Sequence, residues 1–345
     1  MFDFDKNKLE GYIEKLAEPR VLIIGDMGID EMVYGDTERI SREAPVLILR
    51  HSNTKIILGQ AANAAHNLAT INGGKVSAIG LYGDDYYGPM LLDAFKKCGI
   101  NTEFMVQDKT RTTTVKSRIS GASFHSVTQQ VVRIDRVDTK LPSKEIEDKI
   151  IENIEKAIPL HDAVILSDYN IGLLTDRIIG ETIAIAKKYG KIVVADVQKD
   201  MARYKGVYAL TPNQPDSEKA VGYFIKDAQT LNNAGADILK ITDANVLLLT
   251  RGGDGMAVFE KEKDVHTDVP VFNKTNVFDV TGAGDTVVAS FTLALAAGAE
   301  PKYAAIIGNI AASIVIRSFG CATTTIEDLK NSLNKMNMDN YTIKV

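Results

Sequence analysis

Short apolar runs alternate along this chain with longer stretches in which apolar positions return every third or fourth residue. VLIIG (Val21–Gly25), KVSAIG (Lys75–Gly80), AVILS (Ala163–Ser167), KIVVA (Lys191–Ala195) and NVLLLT (Asn245–Thr250) show little polar alternation, so each reads as a strand buried on both faces. Between them, helical periodicity is found near Ala61–Ile71, Gly88–Cys98, Lys144–Ala157, Thr175–Tyr189 and Lys226–Ala236. The β-then-α order predicts an α/β fold, with a parallel sheet covered by helices on both faces.

Two regions interrupt that order. Tyr34–Leu58 and Phe104–Asp135 are rich in β-branched residues with polar ones between them, and they predict half-buried antiparallel strands with no long helix between them. Inserted between core strands, at about residues 32–58 and 104–135, they are expected to meet as a small sheet over the strand ends, where ligands bind, and to act there as a lid. Gly282–Arg317 reads as nearly continuous helix broken at Gly298–Pro301. No Pro- or Ser-rich linker divides the chain, so residues 1–345 are expected to form one core domain with an inserted lid.

The chain of 345 residues is 45% hydrophobic and 25% charged, with a formal net charge of −5 and a pI near 5.7. This excludes collagen-like, low-complexity and disordered chains. An acidic field mildly repels polyanions, so nucleic acid is not an expected partner, although a few local basic residues suffice for a small phosphate. Cys98 and Cys321 stand far apart with no C-x-x-C, which argues against a zinc site or a disulfide framework. The first residues are acidic and lack an apolar stretch, and the run Val287–Ala299 is too short for a membrane span. A cytoplasmic chain without a membrane partner is the expectation.

The segment richest in chemistry is FDVTGAGDT (Phe278–Thr286), which leads straight into an apolar helix. The glycines around Ala283 expose N–H groups at a helix start, where the helix dipole favours an anion. Asp285 in the first turn is either a capping charge or a general base beside a phosphoryl group. A cap does not need G-A-G before it, whereas a transferring phosphoryl group needs several donors on its equatorial oxygens. Other nucleotide motifs do not fit. No G-x-x-x-x-G-K-[ST] occurs, TRGGDGMAV (Thr250–Val258) lacks the third glycine of G-x-G-x-x-G, and Asp26-Met27-Gly28 after the first strand supplies no dinucleotide fingerprint. P-loop and NAD-dependent dehydrogenase readings are both weakened.

DVTGAGD (Asp279–Asp285) is similar to the C-terminal signature of the PfkB/ribokinase family of sugar kinases. In that family's order the chain also carries GQAAN (Gly59–Asn63), GDDYYG (Gly83–Gly88), TPN (Thr211–Asn213) and TRGGDG (Thr250–Gly255). The resemblance implies a ribokinase-like three-layer α/β/α core with a small β-sheet lid. Within the family, GDMGIDEMVYGDTERISREAPVLI (Gly25–Ile48) and LSDYNIGLL (Leu166–Leu174) look most like heptose 7-phosphate kinases. Three departures stand out: Gln60 replaces the second of two adjacent glycines, Ile171 stands where those kinases commonly have Lys, and Asp196-Val197-Gln198-Lys199 replaces D-P-K. Some heptose kinases are fused to a nucleotidyltransferase; no H-x-G-H motif occurs here, so that activity is expected on a separate chain.

By resemblance, Asp285 is the base that deprotonates a sugar hydroxyl, and the N–H groups of Gly282, Ala283 and Gly284 stabilise the transferred γ-phosphoryl. Asp30, Gly59 and Asn63 match the sugar side; the alternatives for Asp30 and Asn63 are a loop cap and a helix cap. Asp26 either meets ligand or ties a loop. Lys116, Arg118 and Arg133 lie on the lid strands; period-two spacing puts Lys116 and Arg118 on one face, either towards the sugar or its phosphate or as a charged edge. Asn213, Thr250, Gly252, Gly253, Gly255 and Asn309 match nucleotide contacts. Asp216 matches an acid acting on Mg²⁺ through water. Asp279 and Thr281 match a monovalent-cation site, K⁺ in several relatives, or else stabilise a turn. The expectation is an ATP- and Mg²⁺-dependent kinase of a sugar or sugar phosphate, foremost heptose 7-phosphate, with a kinase of an unphosphorylated sugar or a non-catalytic sensor as alternatives. Apolar lid strands such as PVLILR predict a homodimer through the lid.

Overall fold

The computed structural model describes residues 3–122, 128–263, 266–272, 279–318, 320–337 and 342–343; Phe278 of the signature and part of the second lid segment lie outside them. The first half contains α1 (Lys6–Lys15), β1 (Val21–Gly25), β2 (Met27–Ile40), β3 (Leu47–Gln60), α2 (Ala61–Asn72), β4 (Val76–Ile79), β5 (Leu81–Tyr82), α3 (Tyr87–Lys97), β6 (Val106–Gln107), β7 (Thr114–Ala122), β8 (Gln129–Arg136) and α4 (Lys144–Ala157). There follow β9 (Ala163–Asp168), α5 (Asp176–Lys188), β10 (Ile192–Val197), β11 (Ala209–Leu210), α6 (Gln214–Val221), α7 (Ala228–Thr242) and β12 (Val246–Thr250). The last part holds β13 (Met256–Glu260), β14 (Thr267–Val269), α8 (Ala283–Ala296), α9 (Pro301–Val315) and α10 (Ile326–Asn334).

Among the described residues an eight-stranded sheet runs β14-β13-β12-β11-β10-β9-β1-β4. From β12 to β4 every pairing is parallel; β13 and β14 turn back antiparallel at the edge. The strand pleat sorts side chains onto two faces. Val21, Ile23 and Ile165 pack with residues of α1, α2, α8, α9 and α10, whereas Leu22, Ile24 and Leu166 pack with those of α4, α5 and α7. Two helical layers around one sheet follow from this sorting. No helix among the described residues is long and apolar enough to cross a membrane.

A separate four-stranded sheet has the order β3-β2-β7-β8. β2–β3 and β7–β8 are antiparallel, as expected, but the two pairs join through a parallel β2–β7 ladder from Gly28↔Thr114 to Asp36↔Ala122. The wholly antiparallel expectation fails because β2 and β7 both leave the core in the same direction. β2 also starts earlier than expected, at Met27, separated from β1 by Asp26 alone. Its outer end, half of β3 and all of β8 are exposed, so "half-buried" fails for β8, whereas it holds for β7 along its length and for β2 and β3 where they approach the core.

The hinge between β3 and α2 carries one of the sequence departures. Gln60 holds φ +56° and ψ −136°, a conformation that suits glycine, and its buried Oε1 has no hydrogen-bond partner. Gln60→Gly relieves strain of roughly 1–3 kcal/mol and an unpaired buried oxygen, against about 0.5–1 kcal/mol of added chain entropy. Urea unfolding should show a net gain of about 1 kcal/mol; a loss would mean that packing of the Gln60 side chain outweighs the strain.

Candidate active site

The site is built where α8 begins. Gly282 precedes the helix with φ +78°, and a Cβ there would come within 2.6 Å of Asn63 Nδ2, so both backbone shape and close approach require glycine. That approach lets α2 and α8 zip together through side chains. Asn63 Nδ2 donates to Asp285 Oδ2 at 2.7 Å, Thr286 Oγ1 donates to Asn67 Oδ1 at 2.8 Å, and Asn67 Nδ2 donates back to the Asn63 carbonyl at 3.0 Å.

Asp285 is only 6% exposed. Its second oxygen, Oδ1, accepts from the Tyr169 hydroxyl at 2.6 Å. Burial pushes the carboxyl up to about 6, with the two donors and Lys116 pulling it down and Asp30 adding to the rise. The group is therefore ionised at neutral pH yet close to titration, which is the range a general base needs.

Three cavities lie around the start of α8, one of them lined by Asp285 itself. One of about 390 Å³ is lined by Thr250, Gly252, Gly253, Gly255 and Asn309, and reaches Ala283 and Gly284 at the start of α8. Asn309 Nδ2 donates to the Pro270 carbonyl at 3.0 Å. A second, of about 150 Å³, holds Tyr169, Asp196, Thr211, Asn213 and Asp216 around Gly282, Gly284 and Asp285. Here Asn213 Oδ1 caps α6 by accepting from the Asp216 N–H at 2.8 Å, and Lys219 pairs with Asp216 at 2.8 Å. Loss of hydration and the nearby Asp285 push Asp196 up to about 7. A third, of about 370 Å³, lies on the other side, under the small sheet, and is lined by Asp30, Met32, Ile57, Arg118, Asp279 and Thr281.

The residues singled out from the sequence divide accordingly. Asp30 pairs with Arg118 at 3.4 Å, and Gly59 gives it room, since a Cβ there would sit 3.1 Å from the Asp30 carboxyl carbon. Lys116, in register with Asp30, lies 5.6 Å from the centroid of the Tyr169 ring. Arg133 is not brought to this centre; it makes a two-pronged pair with Asp135 of its own strand and is half-exposed. Asp279 accepts from the Thr281 and Gly320 N–H groups, which matches the turn-stabilising alternative. The Ala283 N–H donates to the Val280 carbonyl at 3.2 Å, while Gly284 presents open space to the cavity.

Residues 19–328 match the pfkB family carbohydrate kinase model. The chain belongs to the pfkB family of carbohydrate kinases. It is 40% identical over 318 residues to the bifunctional protein HldE of Desulfatibacillum aliphaticivorans, covering 91% of this chain and 63% of that protein. The corresponding protein of Sulfurimonas denitrificans is 37% identical over 331 residues, with 95% and 67% covered. The chain thus spans about two thirds of the length of these relatives. In fold it is similar to an Arabidopsis thaliana ribokinase solved with ribose and ATP, at a TM-score of 0.71 and 18% identity, covering 92% of this chain and 99% of that one. Phosphofructokinase-2 of Escherichia coli, solved with potassium, gives 0.71 at 16% identity, covering 92% and 98%. The ribokinase-like core expected from the motifs is therefore the fold of this family member.

Two site residues escaped sequence reasoning. Nothing in the spacing of Tyr169 links it to Asp285, 116 positions away. Asp196 stands in the segment that departs from D-P-K, and no spacing rule brings it to Asp285.

A carboxyl whose folded pKa is raised binds protons more readily folded than unfolded, so it favours folding at low pH and that advantage is lost as pH rises through the folded value. For Asp196, raised from 3.8 to about 7, the window runs between those values. Asp196→Asn should therefore raise thermal stability relative to the unmodified chain more at pH 8 than at pH 5, read by melting curves at the two pH values; an equal effect would show that the carboxylate is not held out of water.

Proposed function

We propose that the chain transfers the γ-phosphoryl group of ATP to a hydroxyl of a sugar phosphate, with heptose 7-phosphate converted to the 1,7-bisphosphate as the foremost reaction. One observation carries the reading. A buried carboxylate, Asp285, sits at a glycine-rich helix start that opens on a glycine-lined cavity sized for a nucleotide, lines a neighbouring cavity with Asn213 and Asp216, and feels the charge of Asp30 in the cavity under the small sheet. The relatives named HldE support the heptose assignment, as do the segments Gly25–Ile48 and Leu166–Leu174.

In this reading ATP lies along Thr250, Gly252, Gly253, Gly255 and Asn309, and its γ-phosphoryl reaches the start of α8. Asp30, Asn63 and Arg118 orient the sugar, and Lys116 and Arg118 offer positive charge to an anionic acceptor. As the hydroxyl oxygen bonds to the γ-phosphorus and the bond to the bridging oxygen of ADP breaks, Asp285 takes the hydroxyl proton. In a loose transition state that transfer is late, so Asp285 positions the nucleophile as much as it activates it. Gly284, with open space in front of it, leaves the helix start free to meet the charge on the phosphoryl oxygens.

The second cavity offers oxygen donors from Asp196, Thr211, Asn213 and Asp216. No three His, Cys, Asp or Glu side chains among the described residues converge to hold a metal by themselves. This donor set fits Mg²⁺ shared with phosphates and held by Asp216 through water, where it supplies neutralising charge. An unphosphorylated sugar is the second reading, favoured by Ile171, an apolar side chain where heptose kinases commonly carry Lys. ADP release should be screened with heptose 7-phosphate, fructose 1- and 6-phosphates, ribose, fructose and nucleosides. Saturable turnover is expected with heptose 7-phosphate; preference for an unphosphorylated sugar would overturn that assignment and leave the kinase.

Asp285→Asn should bind ATP as the unmodified chain does and lose about three to five orders of magnitude in kcat. Near-normal kcat would remove Asp285 from the chemistry. The small sheet also exposes Ile40 (65%), Val131 (50%), Val132 (47%) and Ile134 (47%), which supports pairing of two such sheets in a homodimer. Light scattering should give a dimer that Ile134→Lys weakens; a monomer at micromolar concentration would overturn the pairing.

A further inference from the structure

Tyr169 stands on the loop between β9 and α5, and that loop is braced from several sides. Asp26 Oδ2 accepts from the N–H groups of Tyr169 (3.0 Å) and Ile171 (3.2 Å), and its Oδ1 accepts from that of Leu173 (3.2 Å). Asp168 Oδ1 accepts from the Asn170 N–H at 2.7 Å, while its Oδ2 accepts from the Tyr204 hydroxyl at 2.5 Å. Arg111 Nη2 donates to the Ile171 carbonyl at 3.2 Å and to that of Asp138 at 2.8 Å. Asn170 (φ +59°) and Gly172 (φ +101°) give the loop its reversed course. Asp26, buried at 3% exposure, thus does the work of a loop tie.

We propose that Tyr169 is a positioning residue for the phosphoryl transfer: presented by the Asp26-braced loop, its hydroxyl fixes the Asp285 carboxylate and keeps it charged. The inference rests on Asp285 as the base. Each oxygen of Asp285 has one side-chain donor, Asn63 from α2 on Oδ2 and Tyr169 on Oδ1. Removing either leaves a carboxylate oxygen in a buried site without that donor, and a lost donor raises the pKa. The other charged and titratable groups facing Asp285 are Asp30 from β2, Lys116 from β7, Asp196 from β10 and Cys321 after α9. Asp30 and Asp196 oppose its ionisation, Lys116 favours it, and the Cys321 thiol, pushed up to about 12, stays neutral. The Tyr169 hydroxyl is itself raised well above its ordinary value by burial, then by Asp285, so it remains a donor across the working range.

The test needs no substrate in its first arm. Carboxyl-carbon NMR of aspartate-labelled full chain, with the Asp285 signal identified by its loss in Asp285→Asn, gives the titration midpoint directly. In Tyr169→Phe that midpoint should move up by about one pH unit, because a donor to a charged group has been removed. Asp26→Asn, which keeps Tyr169 but loosens its loop, should move it in the same direction by less. In the second arm, ADP release with heptose 7-phosphate should show the acid limb of kcat/KM moving with the midpoint in Tyr169→Phe, with KM for ATP changed less than about threefold. An unmoved midpoint in both variants, or a loss of rate that is the same at every pH, overturns the proposal. A midpoint that moves in a chain that releases no ADP with any sugar leaves the clamp standing and rejects the kinase reading of Asp285.

Discussion

Keeping a carboxylate charged at the buried start of a helix is the constraint from which the rest of the structure can be read. Burial raises the pKa of Asp285, and two hydrogen-bond donors and a nearby ammonium oppose that rise, leaving it at about 6. Each donor depends on a different part of the fold. Asn63 arrives because α2 packs on α8 through a pair of side-chain contacts, and Gly282 permits that approach. Tyr169 arrives because β9 ends beside β1, where Asp26 gathers the following loop. Lys116 arrives on β7, laid parallel to β2 rather than antiparallel to it. The two sheets are therefore joined at the site through residues next to β1 and β2.

Much of this was legible in the sequence, and for identifiable reasons. Buried parallel strands such as Val21–Gly25 and Ala163–Asp168 lack polar alternation, and the helices between them carry clear periodicity, so the core order was readable. DVTGAGD marked Asp285 because glycine, helix start and acid share a few adjacent positions. The small-sheet strands were readable as strands, but their pairing direction depends on where β2 and β7 leave the core, which local pattern does not encode. β13 and β14 went unread because a short edge strand after a glycine turn resembles any other apolar run. Tyr169 and Asp196 act through contacts between distant segments, which leave no spacing signal.

The same limits apply to charge. A formal net charge of −5 describes the whole chain, whereas recognition of an anionic acceptor depends on a few local cations. Arg118 reaches the centre but is paired with Asp30, and Arg133 is turned towards Asp135. Lys116, on the small sheet beside Tyr169, is a cation that Asp285 senses. With Ile171 contributing only backbone groups, to Asp26 and Arg111, the loop braces Asp285 through Tyr169 and adds no positive charge to the site.

Under the proposed function, Asp285 holds the attacking hydroxyl in line with the phosphoryl group it receives. A crystal structure with heptose 7-phosphate and a non-hydrolysable ATP analogue tests it most directly. The acceptor hydroxyl is expected at about 2.6–3.2 Å from an Asp285 oxygen, opposite the bridging oxygen of the analogue, with the Tyr169 and Asn63 contacts kept. A sugar bound with its hydroxyl out of reach of Asp285, or a γ-phosphate away from the start of α8, would contradict it.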